Sequence, residues 1–259
     1  MEFRKTMAIK DTAKFYEDNK YCVIREFIPP ILADYLYGYA LMRANRAKTM
    51  VNSKWPGYRE GMDGTYADQQ VPKSYSCYAD PAMETLLQYG LNGMREITGL
   101  NLQPTYSYWR LYKNGDDLKR HKDRPSCEVS TTLCLGYNNH NLKGRKKDWE
   151  KYDWPMWVDK TGGFNNAGIP IHMKPGDMIV YRGCEIEHWR EPFIGNNHAQ
   201  VFLHYNNVDG PFGENCVYDG RPHLGLPADF KSPEKEKAMR AADKNLHEQH
   251  VKNRQKLSK

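Results

Sequence analysis

The sequence has no apolar run approaching about 18 residues, which excludes a transmembrane helix. Met1-Glu2-Phe3-Arg4-Lys5 leads into no apolar core, so no secretory leader is expected. No Asn-x-Ser/Thr glycosylation site occurs, and the six cysteines (22, 77, 127, 134, 184, 216) form no CxxC pair or zinc spacing. Reduced thiols and a cytoplasmic location are the expectation. No internal repeat is visible. A basic nucleic-acid footprint is also missing from most of the chain. Residues 231–259 hold nine Lys/Arg against four Asp/Glu and carry +5 of the net +6, leaving the body nearly neutral. That distribution argues against nucleic acid as a partner.

What is present suits one large unit. At 259 residues the chain buries roughly three quarters of its unfolded surface if it folds as one domain. We expect a single domain over 1–230 and a charged, helical or flexible tail over 231–259. Ser232-Pro233 can start a helix in the tail, with Ser as cap and Pro at the first position. With few apolar residues, the tail reads as solvated, or as a basic segment that docks a partner.

Two helices come first, over 11–46 and 81–98, with a strand at Tyr21–Ile28 inside the first stretch. Pro29-Pro30 opens the longer helical run, and Ile31, Leu32, Tyr35, Leu36, Tyr39 and Met42 recur at helical spacing as a buried stripe. Residues 51–80 read as a long loop, of the kind used as a lid or binding loop. Trp55, Tyr58, Tyr75 and Tyr78 in it are candidates for a substrate lid or for packing onto the barrel. From about residue 103 to 207 the pattern changes to alternation. Strands are expected at 103–112, 129–137, 169–173, 178–182 and 199–205. Helices followed by many short strands predict a mainly β, α+β domain, an antiparallel barrel or sandwich with helices packed on one side.

His121-Lys122-Asp123 is the first chemical candidate. In an extended segment, residues i and i+2 face the same side, so an imidazole and a carboxylate converge. Alone it is weak, since roughly 0.6 such pairs are expected by chance in this composition. His188, just beyond the 178–182 strand, adds a second imidazole. Two His and one carboxylate with open positions opposite suit non-haem Fe(II).

The chain resembles the 2-oxoglutarate- and Fe(II)-dependent dioxygenases, and within them the prolyl-4-hydroxylase-like group. The matching stretches occur in the family's order. They are Tyr21–Pro29, Arg110–Asp123 with its Tyr, Gly and His-x-Asp, Thr131–Asn138, Gly162-Gly163, Lys174–Tyr181, His188–Pro192 and Gln200–Tyr205. Together they cover about residues 20–210. The resemblance implies a double-stranded β-helix, or jelly-roll, barrel with N-terminal supporting helices and a charged C-terminal extension. It implies Fe(II) on His121, Asp123 and His188, with 2-oxoglutarate and O2 as co-substrates and room for ascorbate. 2-Oxoglutarate is oxidised to succinate and CO2 while a C–H bond of the substrate is hydroxylated.

The far carboxylate of 2-oxoglutarate needs a cation, best an Arg fork. In the resembled group it lies about ten positions after the distal His, and here His198 stands there. Three repairs stay open: a protonated His198, Arg190, which shares strand parity with His188, or Arg110, which shares parity with Tyr112. His198 is favoured, with Tyr112 and Tyr137 donating from their hydroxyls. His204 faces inward by period-two counting, as a core residue or as a hydrogen-bonding partner near the iron. His140, His172 and His223 read as structural, and Arg120 as a solvated surface residue. A peptidyl residue, proline first, is the leading substrate, with free amino acids, small metabolites or a modified base open. The alternatives are a cupin-type iron dioxygenase that uses no 2-oxoglutarate and a non-catalytic barrel that binds a ligand or partner.

Overall fold

The computed structural model describes residues 9–139, 154–161 and 166–257. Gly162, Gly163 and His140 lie outside the described residues. The elements are α1 (Ile9–Asn19), β1 (Tyr21–Ile24), α2 (Pro30–Asn52), α3 (Glu60–Asp63), β2 (Tyr75–Tyr78), α4 (Pro81–Thr98), β3 (Leu102–Lys113), β4 (Leu118–His121), β5 (Val129–Asn138), β6 (Met156–Asp159), β7 (Ile169–Ile171), β8 (Met178–Arg182), β9 (Glu187–Arg190), β10 (Asn197–Asn207) and α5 (Pro233–Leu257).

The strands form two antiparallel sheets, a six-stranded one ordered β1-β8-β5-β10-β3-β2 and a four-stranded one ordered β4-β9-β6-β7. This is a double-stranded β-helix barrel with flanking helices. β10 is the central strand of the larger sheet, pairing with both β3 and β5, and residues 198–206 along it are all buried. The larger sheet turns its outer face to α2 and α4 and its inner face to the smaller sheet.

α4 shows how sequence sets its ends. Asp80 caps it by accepting from Ala82 N at 3.0 Å, Pro81 takes the first position, and Gly99 ends it at φ 71°. A left-handed residue there is a Gly preference, because a Cβ is penalised. α2 differs from expectation. Its buried stripe is Ala33, Leu36, Ala40, Ala44 and Ala47, while Ile31, Tyr35 and Met42 are mostly exposed. Small residues let this helix approach the sheet closely, so the bulky side chains turn out to solvent.

The 51–80 segment contains α3 and β2. Trp55 is exposed, Tyr58 and Tyr75 pack with the core under α2, and Tyr78 donates to Asp219 Oδ2 at 2.7 Å. Its polar residues Asp68 and Gln70 are the ones that reach the barrel interior. All six cysteines are buried and free. No helix among the described residues is long and apolar enough to cross a membrane.

The tail is more ordered than expected. α5 starts where Ser232 accepts from Lys235 N at 3.2 Å, and Met239 is buried against the barrel rim. Its next turns lie over the open end of the barrel.

Candidate metal centre

Strand register assembles the site. β4 pairs with β9 so that His121 stands opposite His188. Cross-strand partners on one face come within side-chain reach, and the two imidazole centroids are 4.2 Å apart. Asp123, two residues beyond His121, brings Oδ1 to 3.6 Å from His121 Nε2 and 3.4 Å from His188 Nε2. All three donor atoms lie within 4.8 Å of one another. Ligands about 2.1 Å from one ion and at right angles stand about 3 Å apart, so the spacing fits a shared metal.

The donors are also oriented for one. His121 Nδ1 lies 2.7 Å from the Lys119 carbonyl, which fixes the proton on Nδ1 and leaves Nε2 as the lone-pair nitrogen. His188 Nδ1 faces the Ile186 carbonyl at 3.4 Å in the same sense. Burial, then the neighbouring His188, lowers the His121 pKa to about 4, keeping the ring neutral. Burial alone would raise the Asp123 pKa, but His188, then His121 and His204, outweigh it and hold the carboxyl well below its usual range. Neutral imidazoles and an ionised carboxylate are the states a divalent metal requires.

Asp123 is fixed from behind. Its N–H donates to the Gly183 carbonyl at 2.8 Å, and Ser130 Oγ donates to Oδ2 at 2.7 Å. Gly183 has no room for a side chain, because a Cβ there would collide with Asp123 Oδ2 and meet Ser130 Oγ at 2.7 Å. Ser130 Oγ is also 3.0 Å from His204 Nδ1. With the single hydroxyl proton given to Asp123, Ser130 accepts from His204 Nδ1–H. Burial lowers the His204 pKa to about 4, which keeps the ring neutral; with its proton on Nδ1, Nε2 is the unprotonated nitrogen.

The centre sits in a cavity of about 430 Å³. Six of the nine residues singled out in the sequence line it: His121, Asp123, His188, Arg190, His204 and Arg110. Tyr112, Tyr137 and His198 do not. Trp154, just before β6, fills that end of the barrel, edge-on to Tyr112 at 4.9 Å and to His198 at 5.1 Å. Tyr137 stacks on the other side of His198 at 5.2 Å. The expected protonated His198 is disfavoured: burial, then Arg190, pushes its pKa well below 6.5. Tyr112 accepts from Arg110 Nη1 at 3.0 Å instead of turning to the cavity.

The two arginines differ. Arg110 is ion-paired to Asp68 and donates to Gln70 Oε1 at 3.2 Å, so its charge is already met. Arg190 is buried in the smaller sheet, two residues from His188, with its guanidinium 4.4 Å over the Trp154 ring. Arg120 is not free on the surface; it pairs with Asp159 and Glu187 on the outer face of the smaller sheet. His172 and His223 are exposed and away from the cavity.

Several lining residues carried no recognisable sequence signal. Asp68 and Gln70 come from the long loop, and Asp243, Leu246, His247 and His250 come from α5. The α5 set does have the i, i+3, i+4, i+7 spacing of one helical face. Hydrophobic periodicity misses it because three of the four residues are polar.

No family model and no curated protein matches the chain. Solved structures do. A prolyl-4-hydroxylase from Pseudomonas putida superposes with TM-score 0.54 at 15% identity, covering 77% of this chain and 99% of that one. The carbocyclase SnoK of nogalamycin biosynthesis, described as non-heme and alpha-ketoglutarate-dependent, gives TM-score 0.56 at 9% identity over 86% and 93%. HygX from Streptomyces hygroscopicus, solved with nickel and 2-oxoglutarate, gives 0.54 at 11% over 87% and 95%. At these identities the likeness is one of fold.

Proposed function

We propose that the protein is an Fe(II)- and 2-oxoglutarate-dependent oxygenase that hydroxylates an unactivated C–H bond. The observation that carries this is the convergence of His121, Asp123 and His188 on one point of the cavity wall, both Nε2 lone pairs turned in. Two imidazoles and one carboxylate leave open positions for an oxidant and a co-substrate. Two proteins of like fold, the alpha-ketoglutarate-dependent SnoK and HygX with 2-oxoglutarate bound, support it by analogy.

Bound iron and 2-oxoglutarate would supply the oxidising power: O2 gives one oxygen atom to the substrate hydroxyl and one to succinate, with loss of CO2. The chain's own residues do the rest. His121, Asp123 and His188 hold the metal. Gly183 and Ser130 fix the Asp123 carboxylate. Arg190, held by a hydrogen bond from Nη1 to the Trp154 carbonyl, takes the far carboxylate of 2-oxoglutarate, because it lines the cavity two residues from a metal ligand, while Arg110 is ion-paired to Asp68. Tyr106, Tyr108, Tyr181 and Phe202 from the larger sheet wall the chamber with ring surface and limit water.

A peptidyl residue such as proline is the substrate that the sequence resemblance favours. A second substrate reading, a small molecule, is favoured by the position of α5 at the mouth. The test of the shared chemistry is anaerobic titration with Fe(II) and then 2-oxoglutarate, following the visible metal-to-ligand charge-transfer band. A band with one iron per chain is expected. Iron binding without a band would favour the cupin-type alternative, and no iron binding would leave only a ligand- or partner-binding barrel.

A further inference from the structure

α5 is anchored by its first turns and by the segment before it. Lys231 Nζ pairs with Asp219 Oδ2 at 2.7 Å, and Lys235 Nζ donates to the Glu214 carbonyl at 2.8 Å. Met239 Sδ lies 3.7 Å from Ser126 Oγ, beside Gly220, where a Cβ would meet Met239 Cε at 2.9 Å. From Met239 to His250 the helix then runs on for about 16 Å at the standard rise per residue. That is enough to cross the mouth of the cavity. Asp243, Leu246, His247 and His250, on the face that Met239 starts, line the same chamber as His121, Asp123 and His188. A second cavity of about 490 Å³ adjoins the first under nearly the same face of the helix, where Leu246, Gln249, His250 and Asn253 line it, and Lys122, Leu246 and His250 border both. The distal half of α5 thus covers two adjoining recesses of the barrel end, one of which holds the metal centre.

Of the chamber's cations, Arg190 is assigned to the co-substrate and Lys122 stands where the two cavities meet; most of the other charges are paired. Asp68 pairs with Arg110, Arg124 pairs with Asp219, and Asp123 faces the metal point. Asp243 stands at the exposed rim of the chamber on the helix side, and among the described residues no ion pair neutralises it. At about 430 Å³ the chamber is at the small end of ligand pockets. Part of that volume must hold the co-substrate.

Resting on the function proposed above, we infer that the distal half of α5 is the outer wall of the substrate chamber and that Asp243 selects the substrate. The substrate is a metabolite-sized molecule bearing an ammonium or guanidinium group, held between the metal centre and Asp243. An extended peptide laid across the mouth would meet the helix.

The wall is tested with Fe(II)-loaded protein and two chelators, compact 2,2′-bipyridine and bulky bathophenanthroline disulfonate. Ending the chain at Ala241 should speed iron loss to the bulky chelator at least tenfold and to the compact one less than threefold. On the full chain, Leu246→Trp should slow the bulky chelator at least threefold, a result that does not depend on the shortened chain folding. Equal acceleration of both chelators, or no effect of either change, overturns the wall. Failure of the unaltered protein to bind iron would instead sink the proposed function itself.

The selection is tested by 2-oxoglutarate consumption in the presence of free L-amino acids, diamines and guanidino compounds, against ten-residue peptides. At least one small cation should stimulate consumption more than threefold, and the peptides should not. Asp243→Asn should then raise the KM for that compound at least tenfold with kcat within threefold. Stimulation by none of the small cations, or a KM unmoved in Asp243→Asn, overturns the assignment. Unstimulated 2-oxoglutarate decarboxylation and the charge-transfer band, measured in the same samples, report separately on the oxygenase chemistry.

Discussion

His121 and His188 are cross-strand partners, set opposite each other by the register of β4 on β9, with ring centroids 4.2 Å apart. Neither His position alone defines a metal site. The pairing does, and it places the Asp123 carboxylate against both rings. A residue that touches no metal is therefore predicted to control it. Gly183→Ala puts a methyl where Asp123 Oδ2 and Ser130 Oγ already sit. Displacing a support of this kind costs about 10- to 100-fold in metal affinity. The expected outcome is weaker Fe(II) binding by that amount in equilibrium competition, with the far-ultraviolet circular dichroism unchanged. Affinity equal to the unaltered protein would show that Asp123 is not held by this packing.

Arg190 and Arg110 make a second, separable prediction. A charged hydrogen bond to a carboxylate contributes about 1.5–3 kcal/mol, or roughly 10- to 150-fold in affinity. Arg190→Ala should raise the 2-oxoglutarate concentration at half-saturation of the charge-transfer band by about that factor, with iron stoichiometry retained. Arg110→Ala should move it much less, because that guanidinium is occupied by Asp68 and Gln70. A larger effect at Arg110 would reassign the far carboxylate to the larger sheet.

The metal ligands were legible because they depend on local parity and on a motif with fixed order. His121-x-Asp123 needs only an extended backbone to converge, and His188 needs only the strand pair. The bounds of α4 were legible because its first Pro and its terminal Gly are local signals. The α2 stripe was not, since spacing identifies a helix but not which of its faces meets the sheet. His198 was misplaced for a related reason. Parity turned it inward correctly, but Trp154, which lies on a different strand connection, fills that end of the barrel. The α5 wall was invisible because a helix with polar residues on its inner face has no hydrophobic periodicity.

Buried His198 predicts a pH dependence of stability. Its folded-state pKa lies below 6.5 because burial, then Arg190, disfavours the charged ring. The unfolded chain takes up this proton near pH ~6.5. The His198 contribution is thus fully present above ~6.5 and is lost as pH falls from there toward the folded value. Its maximum slope is about 1.4 kcal/mol per pH unit. Metal-free His198→Gln should lose stability less steeply than the unaltered protein between pH 6.5 and 5, followed by urea midpoints. Parallel curves would mean that the ring is already charged in the fold.

Asp219 ties the wall to the barrel. It is fully buried and accepts from Arg124 Nη1 and Nη2 at 2.8 and 2.9 Å, from Tyr78 and from Lys231 Nζ at 2.7 Å. Burial opposes its ionisation, but Arg124, then Lys231, holds the carboxyl well below its usual range. Its contribution is therefore complete above the unfolded carboxyl pKa of ~3.9 and is lost as pH falls below that. Asp219→Asn leaves Arg124 without its counter-charge. Breaking a fully buried pair costs about 3–5 kcal/mol. The Arg124 side chain is 37% exposed, through the cavity, so solvent screening brings the expected loss down to about 1–3 kcal/mol. In a domain of this size that lowers Tm by roughly 2–12 °C. Because Lys231 leads directly into α5, the loss should not be uniform. Amide exchange over 233–250 should accelerate more than over 81–98, where the α4 cap and the core contacts are untouched. Equal acceleration in both helices would mean that Asp219 supports the barrel as a whole and does not serve as the hinge post of the helix over its mouth.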